Sequence, residues 1–145
     1  RDALAFDPDI VIIKLGTNDS KPLNWQHGAE FKQDLVQMIT TLCPELADLP
    51  KNKKKRTKAL AEVTKKIYLC TPIPAFKATW NISDEVIKNQ IIPIQQEVAN
   101  EYGLKVIDLH TLFANDGDKM LSDGIHPNER GARRMAELIF EELKK

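Results

Sequence analysis

Asp123-Gly124-Ile125-His126-Pro127 sets a carboxylate and an imidazole three residues apart. Such a pair is the acid and base of a serine-hydrolase triad: Asp123 accepts the Nδ1 proton of His126, fixes the tautomer, and leaves Nε2 free as a general base toward a hydroxyl. Pro127 disfavours the helical region for His126, so the imidazole is expected on an extended loop, with Pro127 and Asn128 opening a helix behind it. A second group of polar residues, Gly16-Thr17-Asn18-Asp19, directly follows the β-branched run Ile10-Val11-Ile12-Ile13-Lys14-Leu15. That run reads as a buried strand, and the carboxyl end of a strand is where open parallel sheets carry out chemistry. Asp19 is expected to brace the turn by bonding backbone N–H groups.

A nucleophile does not accompany this pair. Ser20, Ser83 and Ser122 are the serines of the chain, and none lies on the strand-to-helix turn that exposes and activates an Oγ. Ser83, just before Asp84, reads as a helix cap. Ser20 is the least unsuitable substitute. Cys43 and Cys70 make no disulfide framework, and Cys70, inside the apolar run 67–71, reads as a small buried hydrophobe. His27 and His110 stand apart from any metal-ligand spacing and read as surface or structural histidines, so no metal is expected.

The elements that must position these groups alternate between strand and helix. Strands are expected at 10–15, 67–71 and 105–108. A helix over 28–42 places Phe31, Leu35, Ile39 and Leu42 on one face, and one over 128–143 places Ala132, Met135, Ala136, Ile139 and Leu143 on its buried side. A longer helical pattern covers 84–102, where Pro93 is expected to kink or locally interrupt it and Gly103 to stop it. Strands separated by helices imply an α/β fold, a parallel sheet with right-handed crossovers and helices on both faces. The lysine-rich segment 51–58 reads as a solvated connection.

The G-x-N-D block at Gly16 to Asp19 and the D-x-x-H block at Asp123 to His126, in this order and spacing, resemble the third and fifth blocks of the SGNH, or GDSL, hydrolase family. The resemblance runs from Asp7-Pro8-Asp9 to the closing helix and implies a three-layer, flavodoxin-like fold whose last three strands this chain supplies. It further implies that Asn18 donates its side-chain amide to an oxyanion on a turn that Gly16 supports. Asp123 then orients and His126 acts as base. The family's first two blocks, including the nucleophile, have no counterpart upstream of Gly16: fifteen residues precede it, against about thirty or more for a βαβ unit. Residues 1–145 are therefore read as one SGNH-like domain incomplete at its N-terminus, with the serine expected upstream of Arg1, or as a truncated relative of the family. Its first strand would then carry an uncovered hydrophobic edge, open to association.

Resemblance to the carbohydrate esterases of this family, of the sialate O-acetylesterase type, implies a small acylated sugar as substrate, with a short acyl group such as acetate and no cofactor. Trp25, Phe76 and Trp80 follow the carboxyl ends of strands, where aromatic faces could stack on a sugar; Trp25 and Trp80 are the preferred candidates. A non-catalytic binding member, or a lysophospholipase, thioesterase or arylesterase, are the alternatives. With 21 basic against 21 acidic residues and 42% hydrophobic residues, the chain has no bulk attraction to nucleic acid or anionic membrane. No apolar run reaches the roughly twenty residues of a membrane span, no signal peptide is visible, and the compartment stays open.

Overall fold

A computed structural model describes residues 2–145. Three parallel strands, β1 (Ile10–Lys14), β2 (Lys66–Cys70) and β3 (Lys105–Ile107), lie in the order β1-β2-β3, with Ile13 opposite Leu69 and Leu69 opposite Val106. Around them run helices α1 (Asp2–Ala5), α2 (Pro22–Trp25), α3 (Gly28–Leu42), α4 (Lys53–Glu62), α5 (Asp84–Val86), α6 (Ile92–Tyr102), α7 (Leu109–Leu112) and α8 (Glu129–Leu143). This is the α/β architecture that the alternation implied.

The sheet separates two layers of core. Ile13, Ile67 and Leu69 meet Leu35 and Ile39 of α3 and Val98 of α6 on one face. Tyr68, Cys70 and Ile107 meet Leu109, Phe113 and Leu138 on the other. A third cluster, Ile82, Ile87, Ile91, Ile92 and Ile125, lies below the loops at the carboxyl ends of the strands. Each such side chain contributes about 1.5–3 kcal/mol on burial, so this cluster is a firm floor for those loops.

Three local differences from the sequence reading have physical causes. The helix expected over 84–102 divides into α5, a π-helical turn (Ile87–Ile91) and α6. Pro93 has no N–H to offer the carbonyl four residues earlier and its ring crowds that carbonyl, so the preceding turn widens. The lysine-rich segment 51–58, expected as a solvated connection, is exposed apart from half-buried Arg56, but from Lys53 onward it forms helix α4, which buries no residue. Its Lys, Arg, Ala and Leu residues are good helix formers, and Asn52 caps the start by accepting the Lys55 N–H at 3.2 Å. Helix α1 was not foreseen.

Among the described residues β1 has a strand neighbour on one side only. Ile10 and Ile12, which share one face, are 51% and 41% exposed. No helix among these residues is long and apolar enough to cross a membrane.

Candidate active site

The turn after β1 is held from three sides. Leu15 O accepts the side-chain amide of Gln95, buried in α6, at 3.2 Å. Gly16 has φ +116°, and a Cβ there would stand 2.8 Å from Ile91 Cγ2 and 3.1 Å from Pro72 Cγ, so both conformation and space require glycine. The chain then enters a 3-10 turn (Asn18–Ser20), where Asn24 Nδ2 donates to Asn18 O at 2.7 Å. The backbone of Asn18 is thereby fixed while its side chain remains exposed. Asp19 makes no side-chain hydrogen bond to another described residue, contrary to the bracing role expected of it. Ser20 braces the turn instead: fully buried, its hydroxyl donates to Thr17 O at 2.8 Å and accepts the Ser83 N–H at 3.1 Å. That leaves Ser20 no freedom to act as a nucleophile. Ser83 is the cap expected, accepting the Val86 N–H at 3.2 Å.

The second half of the site is the loop 121–126, closed at its base by an isolated bridge between Met120 and Pro127 and followed by α8. Leu121 N donates to His126 O at 2.8 Å and Gly124 N to Leu121 O at 2.9 Å, which closes the loop tightly. Inside it, Asp123 Oδ1 accepts the backbone N–H groups of Ile125 (2.7 Å) and His126 (2.8 Å), and Oδ2 lies 3.2 Å from His126 Nδ1. The His126 amide, then that of Ile125, and then the imidazole hold the Asp123 carboxyl below the usual carboxylate range. The carboxylate sits mostly covered, at 17% side-chain exposure, whereas the imidazole stands out at 60%. The base therefore faces outward with its orienting group behind it. Asn128 caps α8 through the Gly131 N–H at 3.0 Å, and its own N–H donates to Lys119 O at 2.9 Å.

Asn18 and His126 line one open cleft of about 670 Å³, together with Gly16, Asp19, Trp80 and Ile125. The indole of Trp80 meets the His126 ring edge-on at a centroid distance of 5.4 Å, and its backbone is left-handed with φ 53°. Lys14 also lines the cleft, where burial lowers its pKa. A smaller hollow of about 210 Å³, lined by Leu60, Tyr68 and Tyr102 among others, has no paired acid and base.

The structure does not bring Trp25 into this cleft. Its Nε1 donates to Gln90 Oε1 at 2.6 Å and its ring lies 5.7 Å from that of Phe31, so it fastens α2 to the body. Phe76 lies beside Gly117, also away from the cleft. His110 forms a second pair with Asp84, at 3.1 Å, outside the cleft; its side chain is 15% exposed. Cys43 and Cys70 are free and buried, and burial pushes the Cys70 thiol up to about 11, which disqualifies it as a nucleophile. No metal-ligating cluster occurs among the described residues. Gln95 and Ser20, which shape the Asn18 turn, left no periodic or motif signal in the sequence.

Known proteins resemble this chain in family and in fold. The pattern of the GDSL-like Lipase/Acylhydrolase family matches residues 1–134. Over 145 residues the chain is 64% identical to an acetylxylan esterase of Xylanibacter ruminicola, covering 99% of this chain and 30% of that protein. A multidomain esterase of Ruminococcus flavefaciens is 26% identical across 96% of this chain and 16% of its own length. Among solved structures, the lipase/acylhydrolase of Enterococcus faecalis superposes with a TM-score of 0.73 at 26% identity, over 97% of this chain and 64% of that one. The chain thus spans less than a third of the two curated relatives and under two thirds of the solved structure.

Proposed function

Since this chain belongs to the GDSL-like Lipase/Acylhydrolase family, we propose that it carries the base, the orienting carboxylate and an oxyanion donor of a serine esterase. Its substrate is an acetylated carbohydrate, xylan being favoured by the 64% identical relative. The nucleophilic serine comes from a segment N-terminal to Arg1, and residues 1–145 complete one domain with that segment.

His126 Nε2 removes the serine proton as the Oγ attacks the ester carbonyl, and Asp123 stabilises the imidazolium that forms. Charge develops on the former carbonyl oxygen, where the Asn18 amide donates, in company with backbone N–H groups of the upstream segment. Collapse breaks the ester C–O bond, and the imidazolium gives its proton to the departing sugar oxygen, which leaves as a hydroxyl. Water, deprotonated by the same Nε2, then attacks the acetyl-enzyme. Acetate leaves, and the proton returns to the serine Oγ. No step calls for a cofactor.

The observation that carries this reading is that Asn18 and the Asp123-backed His126 face one cleft in which no serine of the chain is among the lining residues. The test is acetate release from acetylated xylan by a polypeptide that contains both this chain and the upstream segment. His126→Ala lowers kcat by about 10⁴-fold or more, while His110→Ala, whose imidazole bonds Asp84 outside the cleft, keeps most activity. Equal losses in the two variants would remove the assignment.

A further inference from the structure

The segment 76–80 runs directly across the loop that bears the acid and base. Phe76 N donates to Gly124 O at 3.0 Å, Lys77 Nζ to Ser122 O at 2.8 Å and Thr79 Oγ1 to Asp123 O at 2.6 Å. Three successive carbonyls, those of residues 122, 123 and 124, are thus each gripped from one strap. The approach is close: a Cβ on Gly124, whose φ is +70°, would stand 2.7 Å from Lys77 Cγ. The next residue of the strap, Trp80, places its indole against the His126 ring.

These contacts divide the work on the pair. The Asp123 carboxylate is fixed by amides of its own loop, but those bonds set only the side chain relative to that loop. The position of the loop against the rest of the site depends on what holds its carbonyls. Thr79 is the side chain that reaches the carbonyl of the orienting residue itself, and it does so with a hydroxyl, one residue before the aromatic that lines the cleft.

We infer that Thr79 is a positioning residue for the Asp123–His126 pair, and that the strap 76–80 aligns the base and the Trp80 wall of the cleft as one unit. The inference rests on the proposed esterase reading for what the alignment serves. Its mechanism is geometric. The Thr79 hydroxyl holds the Asp123 backbone, the Asp123 carboxylate holds the imidazole, and loss of the hydroxyl lets Nε2 wander from the line to the nucleophile. Reaction falls steeply with such misplacement.

The test compares Thr79→Val, which keeps the branched shape and loses the hydroxyl, with Thr79→Ser, which keeps the hydroxyl. In the polypeptide that includes the upstream serine, Thr79→Val lowers kcat for acetate release on the order of tenfold, the equivalent of one net hydrogen bond, with KM within about twofold. Thr79→Ser restores kcat. In the same polypeptide, amide hydrogen exchange at Ile125 and His126 quickens in the Val variant and not in the Ser variant. Unchanged kcat and exchange in Thr79→Val would overturn the inference, as would equal losses in both variants. A His126→Ala variant that retained activity in the same assay would instead overturn the esterase reading, while the exchange measurement would still decide the role of Thr79.

Discussion

Asp123 has two oxygens and three donors within 3.2 Å: the amides of Ile125 and His126, and the imidazole. Two of the three belong to the backbone, so the carboxylate builds the loop as much as it orients the base. This has a consequence for pH. A carboxyl held below its ordinary range in the folded protein, first by the His126 amide, then by that of Ile125, stabilises the fold above its unfolded pKa and loses that contribution as pH falls through the lower folded value. Chemical denaturation of wild type and Asp123→Asn across pH should therefore show a stability gap that is constant above about pH 5 and shrinks below about pH 4. A gap that persists unchanged to about pH 2 would contradict the description of this carboxylate. On the other side of the cleft, Asn18 has a fixed backbone and an exposed side chain. Removal of an oxyanion donor typically costs about 2.7–4 kcal/mol of transition-state stabilisation. Asn18→Ala is thus expected to lower kcat by roughly two to three orders of magnitude with little change in KM, and an effect confined to KM would refute the assigned role.

At the scale of the element, helix α8 and the loop before it are in van der Waals contact at Gly131, where a Cβ would run into Lys119 O and stand 2.9 Å from Pro127 Cβ. Gly131→Ala must push the helix away from the loop that ends in His126. Overpacking of this kind costs about 1–3 kcal/mol, so thermal unfolding should shift down by several degrees; an unchanged Tm would show that the helix start is not packed as described. Elements of this kind differed in how far sequence revealed them. The strands were legible because β-branched runs between turn residues have few other readings, and the Asp123–His126 pair was legible because its geometry is local, three residues closed by a proline. Helix α4 was obscured by a run of charge with no apolar stripe, although its residues favour helix and Asn52 caps it. The π-helical turn depends on a missing N–H at Pro93, which predicts an interruption but not its form. Trp25 was misplaced because its partner Gln90 lies 65 residues away, and the Asp84–His110 pair is 26 residues apart. Such contacts leave no trace in periodicity.

Over the whole molecule, the sheet is covered on both faces near β2, yet β1 carries two exposed isoleucines and, among the described residues, an unpaired edge. Open hydrophobic edges recruit strands. Residues 1–145 by themselves are accordingly expected to self-associate and Ile12→Lys to reduce the association; sedimentation velocity over a concentration series distinguishes these outcomes, and a monomer at all concentrations would contradict them. The same edge adjoins the cleft, because β1 runs directly into the Gly16–Asn18 turn, so whatever covers it also reaches the acid and base. We propose that an upstream serine completes this site. Fluorophosphonate labelling of the protein from its native source, with mass spectrometry of the labelled peptide, tests it most directly. The account predicts one label, on a serine N-terminal to Arg1, that disappears in His126→Ala; a label on Ser20, Ser83 or Ser122, or none on folded protein, would contradict it.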